Sequence, residues 1–126
     1  SLYADHGEAL SAGMRARMKK GMAISAADYL RAEQSRDVLY GMFEARYERF
    51  DAVLCPASAG AAPAGIEATG DPVFNGLWTY LGTPAISVPL FADDGMPFGL
   101  QLVGHRYDDG RLLRAARWLV SHLSES

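Results

Sequence analysis

The sequence predicts an α/β fold, on three observations. Helical periodicity occupies both ends of the chain, three short apolar runs lie between, and two of those runs are separated by a break containing Asp94-Gly95. The runs are Ala52 to Cys55, Ala85 to Leu90 and Phe98 to Val103. The last two pair as an antiparallel hairpin, and the first supplies a third strand from the middle of the chain.

Each element has its own justification. From Leu2 to about Met22 helix formers dominate, with Leu10, Met14 and Met18 four apart on one face and Gly21 as the stop. Ser25, followed three residues later by Asp28, reads as a capping box opening a helix to about Phe50. Its apolar stripe is Leu30, Val38, Leu39, Met42, Phe43, Tyr47 and Phe50, and charges of mixed sign fill the other sides as a solvated surface would. Ala52 to Cys55, ended by Pro56, reads as an interior strand with a buried thiol at Cys55. Ala57 to Asp71 is rich in Ala, Gly and Pro, which predicts a loop whose small side chains let the backbone lie close to another element.

Asp71 and Pro72 form an N-cap and first-turn pair for a short helix through about Leu81, ended by Gly82. Both hairpin runs are apolar except at Ser87 and Gln101, so neither face of the ribbon looks intended for water. The break from Asp93 to Pro97 predicts a loose loop rather than a tight primed turn. Asp108 or Asp109 caps the last helix, with Leu112, Leu113, Ala116, Leu119, Val120 and Leu123 as its buried stripe. Three strands make a small sheet with at least one open edge, at Val53 to Cys55 or at the hairpin.

The totals narrow the function classes. A chain of 126 residues fits one domain spanning 1–126. Fifteen acidic against twelve basic side chains give a charge of −3, which argues against nucleic acid and anionic membranes as partners. One cysteine excludes an internal disulfide and suits a reducing cytoplasm. No apolar run approaches a membrane span, and the N-terminus carries no charged-then-apolar targeting pattern. The opening at Ser1, without methionine and inside a helical pattern, reads as an excerpt, a processed product or a tag remnant.

Metal-free hydrolysis needs a nucleophile, a base within hydrogen-bond reach and donors for an oxyanion. Ser1, Ser124 and Ser126 sit at the ends, Ser25 is a cap and Ser121 lies in the last helix; the serines weighed as nucleophiles are Ser58 and Ser87. Ser58 reads as a loop residue, and Ser87, flanked by Ile86 and Val88, as a satisfied core hydroxyl. His6, His105 and His122 are far apart, so a zinc site is unsupported, and no metal or cofactor is expected. His105 reads as a loop histidine beyond a strand. The glycines at 60, 65 and 70 lack phosphate-cradling spacing.

Three motifs in order carry a resemblance: DAVLCP at Asp51 to Pro56, GDPVFNGLWTYLGTPAISVP at Gly70 to Pro89, and GMPFGLQLVG at Gly95 to Gly104. They resemble the C-terminal part of the amidase signature family, over roughly Gly21 to Leu123. The resemblance implies a fragment of a large mixed sheet flanked by helices, in an amide hydrolase or amidotransferase subunit. It also implies chemistry by two serines and a lysine on a Gly/Ser-rich segment and an upstream strand. That Gly/Ser-rich run is absent here, and the lysines, Lys19 and Lys20, adjoin each other on the first helix, so no catalytic residue carries over and the isolated chain is expected to be inactive.

On that resemblance Phe74, Asn75, Trp78 and Thr79 are expected to face a small-molecule amide substrate. Asn75 and Thr79 lie one helical turn apart with Trp78 on their side. The simpler alternative buries Phe74, Trp78 and Leu81 and exposes Asn75. A rival function is a non-catalytic module or scaffold that self-associates through exposed sheet edges or helix faces.

Overall fold

The computed structural model describes residues 6–66 and 69–124, with side chains described through Leu123. The chain divides into two compact units, Ser1–Ser35 and Arg36–Ser126, and one helix crosses the division.

In the first unit the single helix expected from Leu2 to Met22 is interrupted; its first residues, before His6, lie outside the described residues. A 3-10 turn at Gly7–Ala9 ends in extended backbone at Leu10, and α1 then runs Ala12–Met22. Ser11 is the cause. Its hydroxyl accepts from the Met14 N–H at 3.3 Å, the N-cap role, which requires non-helical backbone at the serine itself. Helix α2, Ala26–Tyr47, opens on the expected Ser25–Asp28 pair: Ser25 Oγ accepts from the Asp28 N–H at 3.1 Å, the serine half of a capping box, while Asp28 Oδ2 accepts from the Ser25 hydroxyl at 2.6 Å. No described residue of this unit is buried.

The second unit is built on a three-stranded antiparallel sheet in the order β1-β3-β2, with β1 Val53–Pro56, β2 Ala85–Asp93 and β3 Met96–Val103. Strand β1 is therefore an edge and not an interior strand, and Leu54 is exposed. An edge position also explains how Pro56 can belong to it, since a proline has no N–H to offer the ladder.

The hairpin is tighter than expected. Asp93 pairs with Met96, leaving the two-residue turn Asp94-Gly95 with φ of 47° and 77°, the primed geometry that matches strand twist. Leu90 is a bulge between the pairs Pro89–Gly99 and Phe91–Phe98.

Alternation places Val53, Cys55, Gln101, Val103 and Ser87 on one sheet face, and Leu54, Leu102, Ile86 and Val88 on the other. Each face has its own core. On the first, Val103 packs with Tyr40 of α2 and with Trp78 and Leu81 of α3, Gly76–Leu81. On the second, Val88 and Leu102 pack with Leu112 and Ala116 of α4, Asp109–Ser124. Asp108, the first of the two expected caps, accepts from the Arg111 N–H at 3.2 Å.

The apolar stripes are only partly buried. Helix α2 ends at Tyr47, short of Phe50, and it buries Tyr40 and Tyr47 while Leu30, Val38, Leu39, Met42 and Phe50 stay exposed. On α4, Leu113, Val120 and Leu123 are likewise exposed. A sheet three strands wide covers only the central line of each helix. For the same reason the ribbon meets water on both faces, at Ser87 on one and at Phe91 and Met96 on the other, against the expectation that neither face does.

Candidate functional site

The candidate site lies where the loop after β1, the start of α3 and the middle of the hairpin converge. The loop continues the sheet by one step, because the Ala57 N–H donates to the Gly99 carbonyl at 2.9 Å. The next residue, Ser58, turns its hydroxyl to the Gly60 carbonyl at 2.6 Å, a local turn bond that fixes a half-buried side chain.

Across from the loop, Asp71 Oδ1 accepts from the Val73 N–H at 3.0 Å, and the Asn75 and Gly76 N–H groups both reach the Pro72 carbonyl. The expected cap thus closes a turn, and the regular helix starts later, at Gly76. Gly82, in left-handed conformation with φ 67°, ends it where expected.

Two side-chain amides lock this turn in place. Asn75 Nδ2 donates to the Ala57 carbonyl at 3.1 Å, tying α3 to the loop. Gln101, a buried polar residue of the central strand, donates from Nε2 to the Phe74 carbonyl at 3.1 Å and to Cys55 Sγ at 3.4 Å. Sequence reading singled out Gln101 as an interruption of an apolar strand without assigning it a role; a lone amide in such a strand is the signal for a buried polar anchor. The thiol of Cys55 is half-buried and sits in this bond.

The four residues expected to face a pocket separate. Trp78 is buried in the first core, with its ring edge-on to Phe43 at 5.6 Å between centroids. Phe74 and Asn75 are half-buried, and Thr79 is exposed. Asn75 and Thr79 remain one turn apart, joined by the bond from Thr79 N–H to the Asn75 carbonyl at 3.0 Å.

Ser87 is exposed and not the core hydroxyl anticipated: it shares its sheet face with buried Gln101 and Val103 but stands on the edge strand β2. Its hydroxyl lies directly over Gly99, where a Cβ would collide with it and come within 3.1 Å of the Val88 carbonyl. Ala57 is the next neighbour at 3.5 Å. Ser87, Gly99 and Ala57 therefore form a floor of small groups beside Asn75, a feature that helical periodicity could not signal.

Among the described residues no base serves these hydroxyls. His105, beyond the end of β3, has Nδ1 2.8 Å from the Arg106 carbonyl and Nε2 3.2 Å from Glu44 Oε1, so both its nitrogens are committed. His122 Nδ1 lies 3.4 Å from Ser121 Oγ, yet both atoms point at the Trp118 carbonyl at 2.8 Å, which makes that nitrogen a donor. In the first unit Ser11 and Ser25 cap helices, Ser35 Oγ donates to the Arg31 carbonyl, and Lys19 and Lys20 are exposed on α1. Among the described residues no group of three or more His, Cys, Asp or Glu could hold a metal ion. No described helix is long and apolar enough to cross a membrane.

Comparison with known proteins places this geometry. The family model described as Amidase matches residues 5–113. The A-subunit of glutamyl-tRNA(Gln) amidotransferase from Thioalkalivibrio sulfidiphilus is 35% identical over 122 residues, covering 87% of this chain and 25% of that protein. The protein of the same name from Halalkalibacterium halodurans is 36% identical over 95 residues, 70% of this chain and 20% of its own. The chain thus spans about a quarter or less of the curated relatives' length.

Among solved structures, a crystal structure described as an amidase superposes with a TM-score of 0.78 at 26% identity, over 95% of this chain and 30% of that one. A bacterial aryl acylamidase of the amidase signature family shares the fold at TM-score 0.63 and 23% identity, over 89% of this chain and 26% of its own. With the family model matched over most of its length, the chain belongs to the amidase signature family.

Proposed function

We propose that this chain is the C-terminal portion of an amide (C–N) hydrolase of the amidase signature family. It forms one domain that supplies the backing and one wall of a site whose nucleophile and base lie outside these residues. The observation that carries this reading is the surface: among the described residues twenty large apolar side chains are exposed and nine hydrophobic residues are buried. Single exposed apolar residues are ordinary, but an excess of this size marks faces built to be covered. The amidase neighbour and the relatives named as amidotransferase subunits support amide chemistry, which in both cases centres on a C–N bond.

In this reading Phe74, Asn75, Trp78 and Thr79 form the wall, with distinct parts. Trp78 and Phe74 set the position of α3 from the core side, whereas Asn75 and Thr79 present polar groups to a small amide over the floor of Ser87 and Gly99. No cofactor or metal enters. The setting is the cytoplasm, in keeping with a single thiol.

Two measurements test it. The purified chain, assayed against simple amides and esters, is expected to show no turnover, because no serine among the described residues has a base. Turnover that survives removal of contaminating hydrolases overturns the reading. Amide-resonance titration with acetanilide is expected to shift Asn75 and Thr79, and shifts confined to α1 or α4 would remove the wall.

A second reading is favoured by the open outer edges of β1 and β2: the chain acts as a self-associating, non-catalytic module. Light scattering decides it, since a monomer at every concentration ends this alternative.

A further inference from the structure

We propose that Arg106 is a positioning residue for the wall formed by α3, acting through a guanidinium that joins the end of that helix to α2. The inference rests on the reading of Asn75 and Thr79 as the polar part of that wall. Helix α3 has 6 residues, and isolated helices shorter than about 12 residues are marginal in water, so its place is set by whatever holds its two ends. The entry is held by Gln101 Nε2 on the Phe74 carbonyl and by Asn75 Nδ2 on the Ala57 carbonyl, both at 3.1 Å.

The exit is held by Arg106. A helix leaves its last carbonyls without partners of its own. Here the Gly82 N–H returns to the Thr79 carbonyl and the Thr83 N–H to the Trp78 carbonyl, while the Leu81 carbonyl accepts from Arg106 Nε at 2.7 Å. The same guanidinium donates from Nη1 to Asp37 Oδ1 of α2 at 3.0 Å and lies 3.9 Å from the centre of the Tyr40 ring. The Arg106 backbone N–H donates to the Tyr40 hydroxyl at 3.1 Å. Nη2 is buried with no hydrogen-bond partner among the described residues, so Nε and Nη1 carry the link.

The ion pair is not what matters most, because the Asp37 side chain is 67% exposed and an open pair contributes little. What sets Arg106 apart is shape. Two donors fixed in one plane reach acceptors on two helices while the face of that plane rests on an aromatic ring, which the point charge of a lysine cannot do. Strand β3 and the turn after it thus supply both restraints, Gln101 at the head of α3 and Arg106 at its tail, with Asn75 and Thr79 between them. Asp37, Tyr40, Leu81 and Arg106 all belong to the second unit, so the link is internal to it and does not depend on what covers the outer faces.

Hydrogen exchange and acetanilide titration, both read at amide resonances of the full chain, test the proposal. In Arg106→Lys and in Arg106→Met, exchange of the Thr79, Gly82 and Thr83 N–H groups is expected to rise about tenfold, through loss of a charge-assisted bond. Exchange of the Ala57 N–H, bonded to Gly99, and of the α4 amides is expected to stay at the parent rate. The acetanilide concentration that half-saturates the shifts at Asn75 and Thr79 is expected to rise about fivefold, because the wall is no longer preorganised. Circular dichroism checks that both variants keep the fold. Unchanged exchange in α3 overturns the proposal, and so does a rise at all protected amides together, which would make Arg106 a residue of general stability. An Arg106→Lys chain that matches the parent shows that charge toward Asp37 suffices, and overturns the two-helix link. A parent chain whose Asn75 and Thr79 ignore acetanilide removes the wall itself, and the exchange pattern still decides whether Arg106 holds α3.

Discussion

The Gly99 position shows how a single missing atom shapes the candidate site. A Cβ there meets the Ser87 hydroxyl and the Val88 carbonyl, so Gly99→Ala is expected to cost about 1–3 kcal/mol in urea unfolding. Adding Ser87→Ala should recover most of that loss, because it removes the nearer obstacle; no recovery would mean that the strand backbone sets the limit. Tyr47 is a different case. Burial first, then the neighbouring Tyr40 phenol and Cys55 thiol, push its hydroxyl up to about 12 from 10.0. The folded state therefore holds that proton more tightly, so this stabilisation is complete below about pH 10 and lost as pH rises toward 12. Its hydroxyl has no hydrogen-bond partner among the described residues. Tyr47→Phe is thus expected to leave stability near neutral pH unchanged or higher and to flatten its decline in alkali, read from denaturation midpoints along a pH series. A variant that falls as steeply as the parent would remove Tyr47 from the alkaline transition. Which residues are spaced by a helical turn is legible in sequence, and the simpler alternative buries Trp78 and Leu81 as the structure does; that Asn75 ties down the loop is not legible, because its partner Ala57 is remote in the chain.

At the scale of elements, local chemistry was readable wherever both partners lay within one turn. Ser25 and Asp28 are three residues apart and cap α2 as expected. Ser25→Ala should lower stability by about 1 kcal/mol and reduce helical signal, and an unchanged unfolding midpoint would show that the box contributes nothing there. Ser11 obeys the same rule but was missed, since helix formers on both sides hid a cap inside an apolar repeat. The hairpin turn is a similar lesson. The apolar runs stop short of the turn, which suggested a loose loop, yet pairing of Asp93 with Met96 extends both strands to the primed turn that Asp94-Gly95 favours. Stripe readings on α2 and α4 failed in proportion to their reach, for burial depends on what the sheet covers rather than on the periodicity of the helix.

Across the whole molecule, the second unit is a sheet with a separate core on each face, one gathered around Leu81 and Val103 and the other around Leu102 and Leu112. Leu81→Ala and Leu112→Ala are each expected to cost about 2–5 kcal/mol, and the double variant to lose the sum within about 0.5 kcal/mol, because no side-chain partner is shared between the clusters. A clear departure from additivity in denaturant unfolding would show that β3 transmits strain between the faces. Sequence by itself determined the α/β class, the order of elements, their local caps and the three motifs that mark the family, because each depends on neighbours along the chain. Only the tertiary structure decided that β1 is an edge, that Ser87 is exposed above Gly99, and that Gln101 braces the turn before α3. Those outcomes follow from strand order and register, and antiparallel pairing sets both between residues the chain keeps far apart.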